Sequence, residues 1–231
     1  MTANDILKQT NLFAQLSDAE LAAIARDLVE RRYMEGEIIF HEGDAGQMLY
    51  IVGSGQVRIY VNGLDGSETS VIVFGRPGEL FGELAVIDGL PRSATAVSLD
   101  QTSLYTINRE QLRHHMQRSP QLALNFMQTL SQRVRYNTRQ MDSLVTLPVP
   151  ARLARKLVEL AQEYGRPTTT STQGVHIDLS LTQAQLASLI GASRESTNKS
   201  LRDFQRRQWV QLTQGHIIVL DADGLRQQVQ R

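Results

Sequence analysis

The stretch Pro77–Ala96, PGELFGELAVIDGLPRSATA, decides how the first half of the chain is read. It places Gly82 and Glu83 ten residues before Arg92 and Ser93. A short helix starting near Gly82 would offer free N–H groups to an anion, with Arg92 as a bidentate clamp and Ser93 as a hydroxyl donor. Glu83 could then accept hydrogen bonds from sugar hydroxyls, its partial burial offset by the charge of Arg92. Val71, Val73 and Leu84 would wall the remainder. These residues describe a pocket for a small phosphorylated, sugar-bearing ligand. An internal Glu–Arg salt bridge beneath a loop accounts for them comparably well.

The surroundings of that run are β-prone. From Tyr33 to Leu104, short runs at Ile38–Phe40, Met48–Val52, Gln56–Tyr60, Thr69–Phe74, Ala94–Ser98 and Ser103–Ile107 alternate with turn residues. Those turns include Gly43-Asp44, Asn62-Gly63, Asp65-Gly66 and Pro77-Gly78. Many short strands at such spacing indicate a small barrel or a double-sheet jelly roll, with an open sandwich as the alternative. Ahead of them the first 30 residues read as helix. Ser17 and Glu20 form an S-x-x-E capping box before Leu21, Ile24, Ala25 and Leu28.

Beyond the barrel, a short helix at Arg109–Met116 precedes a long one from Pro120 to about Val145. Met127, Val134 and Met141 recur every seven residues, as do Leu130 and Leu144 around polar Asn137. This a/d seam predicts a dimer contact, the alternative being an ordinary helix packed on the barrel. Pro148 and Pro150 predict a hinge and boundary near Leu147–Pro150. The chain therefore divides into a sensor domain (1–118), a dimerisation helix and hinge (119–147) and a C-terminal domain (148–231). In the last, a helix at Ala151–Tyr164 is followed by a loop at Arg166–Gly174 and a strand at Val175–Leu179. Two helices (Thr182–Ile190 and Arg194–Arg207) come next. A hairpin of Val210–Leu212 and His216–Leu220 then turns around Thr213-Gln214-Gly215.

Those two helices have helix-turn-helix spacing. Leu186, Ala187 and Ile190 line one face, Gly191 serves the turn, and Ser193 caps the second helix. The polar, basic start of that helix suits a DNA major groove. Arg194 can take guanine O6 and N7 together, Glu195 can accept from cytosine N4, and Lys199 can reach a base or a phosphate. Ser196 and Arg202, with Arg206, are phosphate candidates, and Thr182 and Gln183 could bond the backbone from the start of the supporting helix. The hairpin reads as a wing. A solvated or protein-docking face is the bland alternative.

Composition sets the outer bounds. The 231 residues allow two domains, and zero cysteine excludes disulfide scaffolds, thiolate metal sites and a cysteine nucleophile. No apolar run spans a membrane, and no basic-then-apolar leader opens the chain. Net charge is zero, but residues 1–147 hold 13 basic against 17 acidic groups, while 148–231 hold 11 against 7. The positive excess peaks in 191–207. No metal site is expected: His114 and His115 are adjacent on a helix, His41 and His176 have no partner at ligand spacing, and His216 reads as a polar residue of the hairpin. Catalysis is not expected either, because neither a convergent His–carboxylate set nor a Ser–His–acid arrangement is present.

Gly36–Asp44, Phe81–Ala85 and Pro91–Ala96 resemble the cyclic-nucleotide-binding barrel. Joined to the long helix and to Gly191–Thr197, they make the chain similar to bacterial transcription regulators of the catabolite-activator (cyclic AMP receptor) and fumarate–nitrate-regulator superfamily. The resemblance implies an α+β chain: an N-terminal β jelly-roll barrel, a long dimerisation helix and a C-terminal winged helix-turn-helix. It further implies that Gly82, Glu83 and Leu84 hold ribose and phosphate, that Arg92 and Ser93 hold the cyclic phosphate, and that Asn137 and Thr138 fall at the purine contacts. Asn137 stands where Thr is common, and Lys199 where the catabolite activator has Arg. The implied effector is cyclic AMP, with cyclic GMP or another nucleotide as alternatives and no prosthetic group. The implied partners are palindromic double-stranded promoter DNA, a second copy of the chain and RNA polymerase, in the cytoplasm. The competing expectation keeps DNA binding but assigns a different effector or none.

Overall fold

The computed structural model describes residues 2–63, 66, 68–167, 174–213 and 216–230. The turn residues Asp65, Gln214 and Gly215 and most of the Arg166–Gly174 segment, residues 168–173, lie outside them. The chain forms two compact units, one of residues 1–67 and 71–136 and the other of residues 68–70 and 137–231.

The first unit opens with α1 (Ala3–Gln9), a 3-10 turn at Asn11–Phe13 and α2 (Asp18–Asp27), so the expected N-terminal helix is two. The Ser17 box forms: Ser17 N donates to Glu20 Oε2 at 2.8 Å, and Glu20 N to Ser17 Oγ at 3.3 Å. Replacing Ser17 with alanine should cost about 1 kcal/mol in urea unfolding, the usual value of an N-cap hydroxyl.

Eight strands follow: β1 (Val29–Tyr33), β2 (Ile38–Phe40), β3 (Met48–Ser54), β4 (Val57–Asn62), β5 (Glu68–Phe74), β6 (Leu80–Phe81), β7 (Thr95–Ser98) and β8 (Thr102–Asn108). All six expected strands are present, and β1 and β6 are additional. They form two four-stranded sheets, β1-β8-β3-β6 and β2-β7-β4-β5, so the architecture is the double-sheet one. The apolar residues of the alternating strands meet inside: Tyr50, Val52, Val57, Phe74, Phe81, Ala96 and Leu104 form one core. A second core joins the sheet β1-β8-β3-β6 to helices. Leu49, Ile51 and Ile107 pack there with Ile6, Leu7 and Ile24, with Leu112 of α4 (Arg109–Arg118) and with Leu122 and Phe126. Between β6 and β7 lies α3 (Glu83–Asp88), the short helix expected at Gly82.

Leu122 and Phe126 belong to α5 (Pro120–Thr146), 27 residues long. Asn125 ties its first turns to the N-terminal segment, donating to Leu12 O at 3.0 Å and Ala14 O at 2.7 Å. In the second unit, α6 (Val149–Tyr164) starts two residues earlier than expected, because Pro150 sits in its first turn, where proline is tolerated, rather than ahead of it. Arg166 and Pro167 are not loop residues: β9 (Gly165–Pro167) pairs with β10 (Val175–Ile177). Then come α7 (Gln183–Leu189), α8 (Arg194–Arg206), β11 (Val210–Thr213), β12 (His216–Val219) and an unforeseen α9 (Ala222–Val229). The sheet order is β11-β12-β10-β9, a wing beside the helix pair.

Candidate functional site

In the first unit the site is built where β6 runs out. Gly82 has φ +76°, and a Cβ placed on it would lie 2.6 Å from Arg92 Nη1, so both backbone and space require glycine there. The turn sends Glu83 into α3 and buries it at 7% exposure. Arg92 is buried to 5%. Its main chain is held by the Gly43-Asp44 turn, with Arg92 N donating to Asp44 O and Gly43 N to Arg92 O, both at 2.8 Å. Its side chain reaches inward: Nη1 donates to Gly82 O at 2.8 Å and Nη2 to Met48 O at 2.7 Å, with Cζ 4.2 Å from the Phe40 ring centre. Nε is buried and makes no hydrogen bond. Burial lowers the proton affinity of the guanidinium, opposed by Tyr50, Glu83 and Asp44. Ser93 is exposed next to it.

Two expectations need correction. Arg92 does not supply the ion pair of Glu83. That pair is made by Arg133 of α5, whose Nε lies 3.7 Å from Glu83 Oε1. Arg133 also donates from Nη2 to Leu80 O at 2.7 Å and stacks 4.6 Å from the Phe74 ring centre. Arg133 was missed, although its position signals it: it follows core residue Phe126 by seven and Leu130 by three, so it faces inward and needs a carboxylate. Secondly, the expected apolar wall is incomplete. Val73 is buried, but Val71 is exposed and Leu84 is 46% exposed, because α3 turns that side outward. Asn137 and Thr138 are exposed on α5, within the second unit.

The second unit assembles the other cluster. Thr182 caps α7, its Oγ1 accepting from Gln185 N at 3.2 Å, and both Thr182 and Gln183 are exposed. Leu186, Ala187 and Ile190 are buried against the next helix, and Gly191 turns with φ +58°. Ser193 caps α8: its Oγ accepts from Ser196 N at 3.2 Å and donates to Ser196 Oγ at 3.0 Å. Thr197, Ser200, Leu201 and Phe204 anchor α8 inward, leaving Arg194, Glu195, Ser196, Lys199 and Arg202 exposed on its outer side. Arg206 and Arg207 pair with Asp203 at 3.2 and 2.8 Å. No ion pair engages Arg194, Lys199 or Arg202 among the described residues, so their charge is available outward.

In the wing, His176 and His216 have ring centres 4.9 Å apart, a neighbourhood that sequence spacing does not show. Among the described residues no group of three metal-ligating side chains exists.

A double-sheet β domain with buried Glu83 and Arg92, followed by a winged helix-turn-helix, is the layout of a DNA-binding regulator of transcription. Residues 30–119 match the cyclic nucleotide-binding domain family, and residues 151–228 match the Crp-like helix-turn-helix domain family. Over 96% of its length the chain is 31% identical to the CRP-like cAMP-activated global transcriptional regulator of Mycobacterium tuberculosis, covering 97% of that protein. It is 32% identical to the cyclic AMP receptor protein of Thermus thermophilus, covering 94% of this chain and 95% of that one. The solved structure of the c-di-GMP-responsive global regulator CLP of Xanthomonas campestris matches with a TM-score of 0.74 at 26% identity, covering 88% of this chain and 99% of that one. The chain belongs to the CRP-like family of DNA-binding transcription regulators, with a cyclic nucleotide-binding domain and a helix-turn-helix domain. That family is one of regulators, not enzymes.

Proposed function

We propose that the chain acts as a homodimer whose binding to palindromic promoter DNA is controlled by cyclic AMP. The observation that carries this reading is the chemistry left over around Gly82. Arg92 is buried with Nε unbonded, and Glu83 is buried with one ion-pair partner at 3.7 Å. A carboxylate has about four lone-pair positions, and a guanidinium has five N–H donors. Hydroxyls of a ribose and oxygens of a cyclic phosphate would fill that remaining capacity. In this reading Gly82, Glu83 and Leu84 hold ribose and phosphate, Arg92 and Ser93 hold the cyclic phosphate, and Asn137 and Thr138 meet the base. Two relatives named for cyclic AMP support that effector. A different cyclic nucleotide is the second reading, favoured by the likeness to a c-di-GMP-responsive regulator and by Asn137 at a purine contact. Isothermal titration of the full chain with cyclic AMP, cyclic GMP and c-di-GMP tests it: micromolar cyclic AMP binding is expected, and none would overturn the assignment.

Dimerisation is supported by α5. Met127, Val134 and Met141 are 56%, 64% and 67% exposed at seven-residue spacing, with Leu124, Leu144 and Val145 exposed as well. An exposed apolar a/d stripe is what a second copy of the same helix buries. Replacing Val134 and Met141 together by glutamate should halve the mass measured by light scattering, from twice 25.9 kDa to 25.9 kDa.

On DNA, Arg194 and Glu195 read base edges, and Lys199 reaches a base or a phosphate. Thr182, Gln183, Ser193, Ser196 and Arg202 fix the backbone. Nucleotide binding would reset the α5 seam and the Leu147–Pro150 hinge, setting the recognition helices one turn of DNA, about 34 Å, apart. Such control requires that the nucleotide bind the DNA-competent state more tightly than the other. RNA polymerase as a partner and a cytoplasmic location belong to the same reading. No described helix is long and apolar enough to cross a membrane.

A further inference from the structure

The first unit carries a second cleft, built on the far end of α3 from Gly82. It has a volume of about 390 Å³ and is lined by Ile87 of α3 and by Arg109, Arg113, Met116 and Gln117 of α4. The four α4 residues recur at i, i+4, i+7 and i+8, so they share one side of that helix. The other side is committed elsewhere: Leu112 is in the core, and His115 Nε2 lies 2.7 Å from Asp27 Oδ2 of α2.

Arg109 is set in place before any ligand arrives. Asn108 caps α4, its Oδ1 accepting from Gln111 N at 2.8 Å, and Arg109 N donates to Gln47 O at 2.9 Å. The guanidinium lies over Gly89, which ends α3 with φ +78°. A Cβ on Gly89 would lie 2.5 Å from Arg109 Nη1 and 2.9 Å from its Cζ, so glycine leaves the space that this head group occupies. Arg109 Nε is buried without a hydrogen-bond partner. Among the described residues neither Arg109 nor Arg113 makes an ion pair, and neither guanidinium donates a hydrogen bond. No carboxylate lines the cleft. Asp88 and Glu110, next in sequence to lining residues, stand outside it, and Asp88 Oδ1 accepts from Leu90 N at 2.9 Å. Two cations one turn apart on a helix repel each other, so a bound anion is the missing partner of both.

We propose that this cleft is a second ligand site, for a small organophosphate with a terminal phosphate and an apolar or ring-bearing body, such as a nucleoside 5′-monophosphate. A phosphate monoester carries close to two negative charges above its second ionisation near 6, and it has three acceptor oxygens. One such phosphate serves both guanidinium forks, whereas a cyclic phosphodiester has one charge and two free oxygens. Ile87 and Met116 give the body of the ligand an apolar wall, and Gln117 gives its polar edge an amide. The volume falls in the range of small-molecule clefts. α3 borders both sites: Glu83, its first residue, belongs to the Gly82 site and Ile87, one turn on, to this one. The inference does not rest on the cyclic AMP reading.

The test is isothermal titration of the full chain with AMP at about pH 8, in the presence of saturating cyclic AMP. One AMP per chain should bind, at least about tenfold tighter than inorganic phosphate, which lacks the apolar contacts. Arg109→Gln/Arg113→Gln should weaken AMP binding by at least about tenfold. Its cyclic AMP affinity and melting temperature should match the wild type, because no carbonyl or carboxylate loses a partner. Arg113→Gln alone, at an exposed position, should weaken AMP by about threefold and keeps the test decisive if the double variant folds poorly. No AMP binding up to millimolar concentration, or binding unchanged in both variants, would overturn the proposal. AMP binding lost only in Arg92→Ala would also overturn it, placing AMP in the Gly82 site and sparing the nucleotide reading. Cyclic AMP that fails to bind while AMP binds through Arg109 and Arg113 would overturn the cyclic AMP reading and leave this site standing.

Discussion

Arg92→Ala should reduce cyclic nucleotide affinity by at least about 100-fold, the size expected when a buried charge-assisted contact to phosphate is lost. The guanidinium is held by two main-chain carbonyls, Gly82 O and Met48 O, and by the Phe40 ring, so it is fixed before any ligand arrives. Removing it leaves both carbonyls without that donor in a buried site. The variant should therefore lose about 2–4 kcal/mol of stability as well, visible as a lower melting temperature. Arg92→Lys separates the two effects, because it keeps the charge without the planar fork and should fall between wild type and alanine in affinity. Titration calorimetry read beside thermal melts makes the comparison. Undiminished nucleotide binding by folded Arg92→Ala would remove Arg92 from the phosphate site.

The second large effect is expected at Arg194. It stands at the exposed first position of α8, just past the Ser193 cap, and makes no ion pair among the described residues. Arg194→Ala should lose about 1–3 kcal/mol of discrimination at one base pair of each half-site, with little change at the others. Competition binding against duplexes substituted at single positions measures this directly. A uniform loss on every sequence would instead make Arg194 a backbone contact, with a salt slope reduced by about one. Lys199, a point charge without a fork, should show the smaller base preference of the two.

The barrel strands, the capping box at Ser17 and the helix-turn-helix were legible because local chemistry fixes them. Alternating apolar residues between turn signals, S-x-x-E, and the Gly191 turn each point one way at short range. What was not legible depends on contacts distant in sequence. β6 is two residues long and exists because Tyr50 and Ile51 lie opposite Phe81 and Leu80. β9 follows a helix and carries Gly and Pro, and it becomes a strand through pairing with β10. The Glu83 partner was assigned to Arg92 because the two lie close in sequence, whereas Arg133, fifty residues on, makes the ion pair. His176 and His216 are forty residues apart and meet through the sheet order, which spacing does not reveal. The zero net charge is a division of sign, with 13 basic against 17 acidic groups in residues 1–147 and 11 against 7 in residues 148–231.

The central claim, cyclic AMP control of DNA binding, is tested most directly by titrating the full chain onto a palindromic duplex at several cyclic AMP concentrations and reading anisotropy. Affinity that rises with cyclic AMP and saturates at one dimer per duplex is the predicted result. Equal affinity with and without the nucleotide would contradict it.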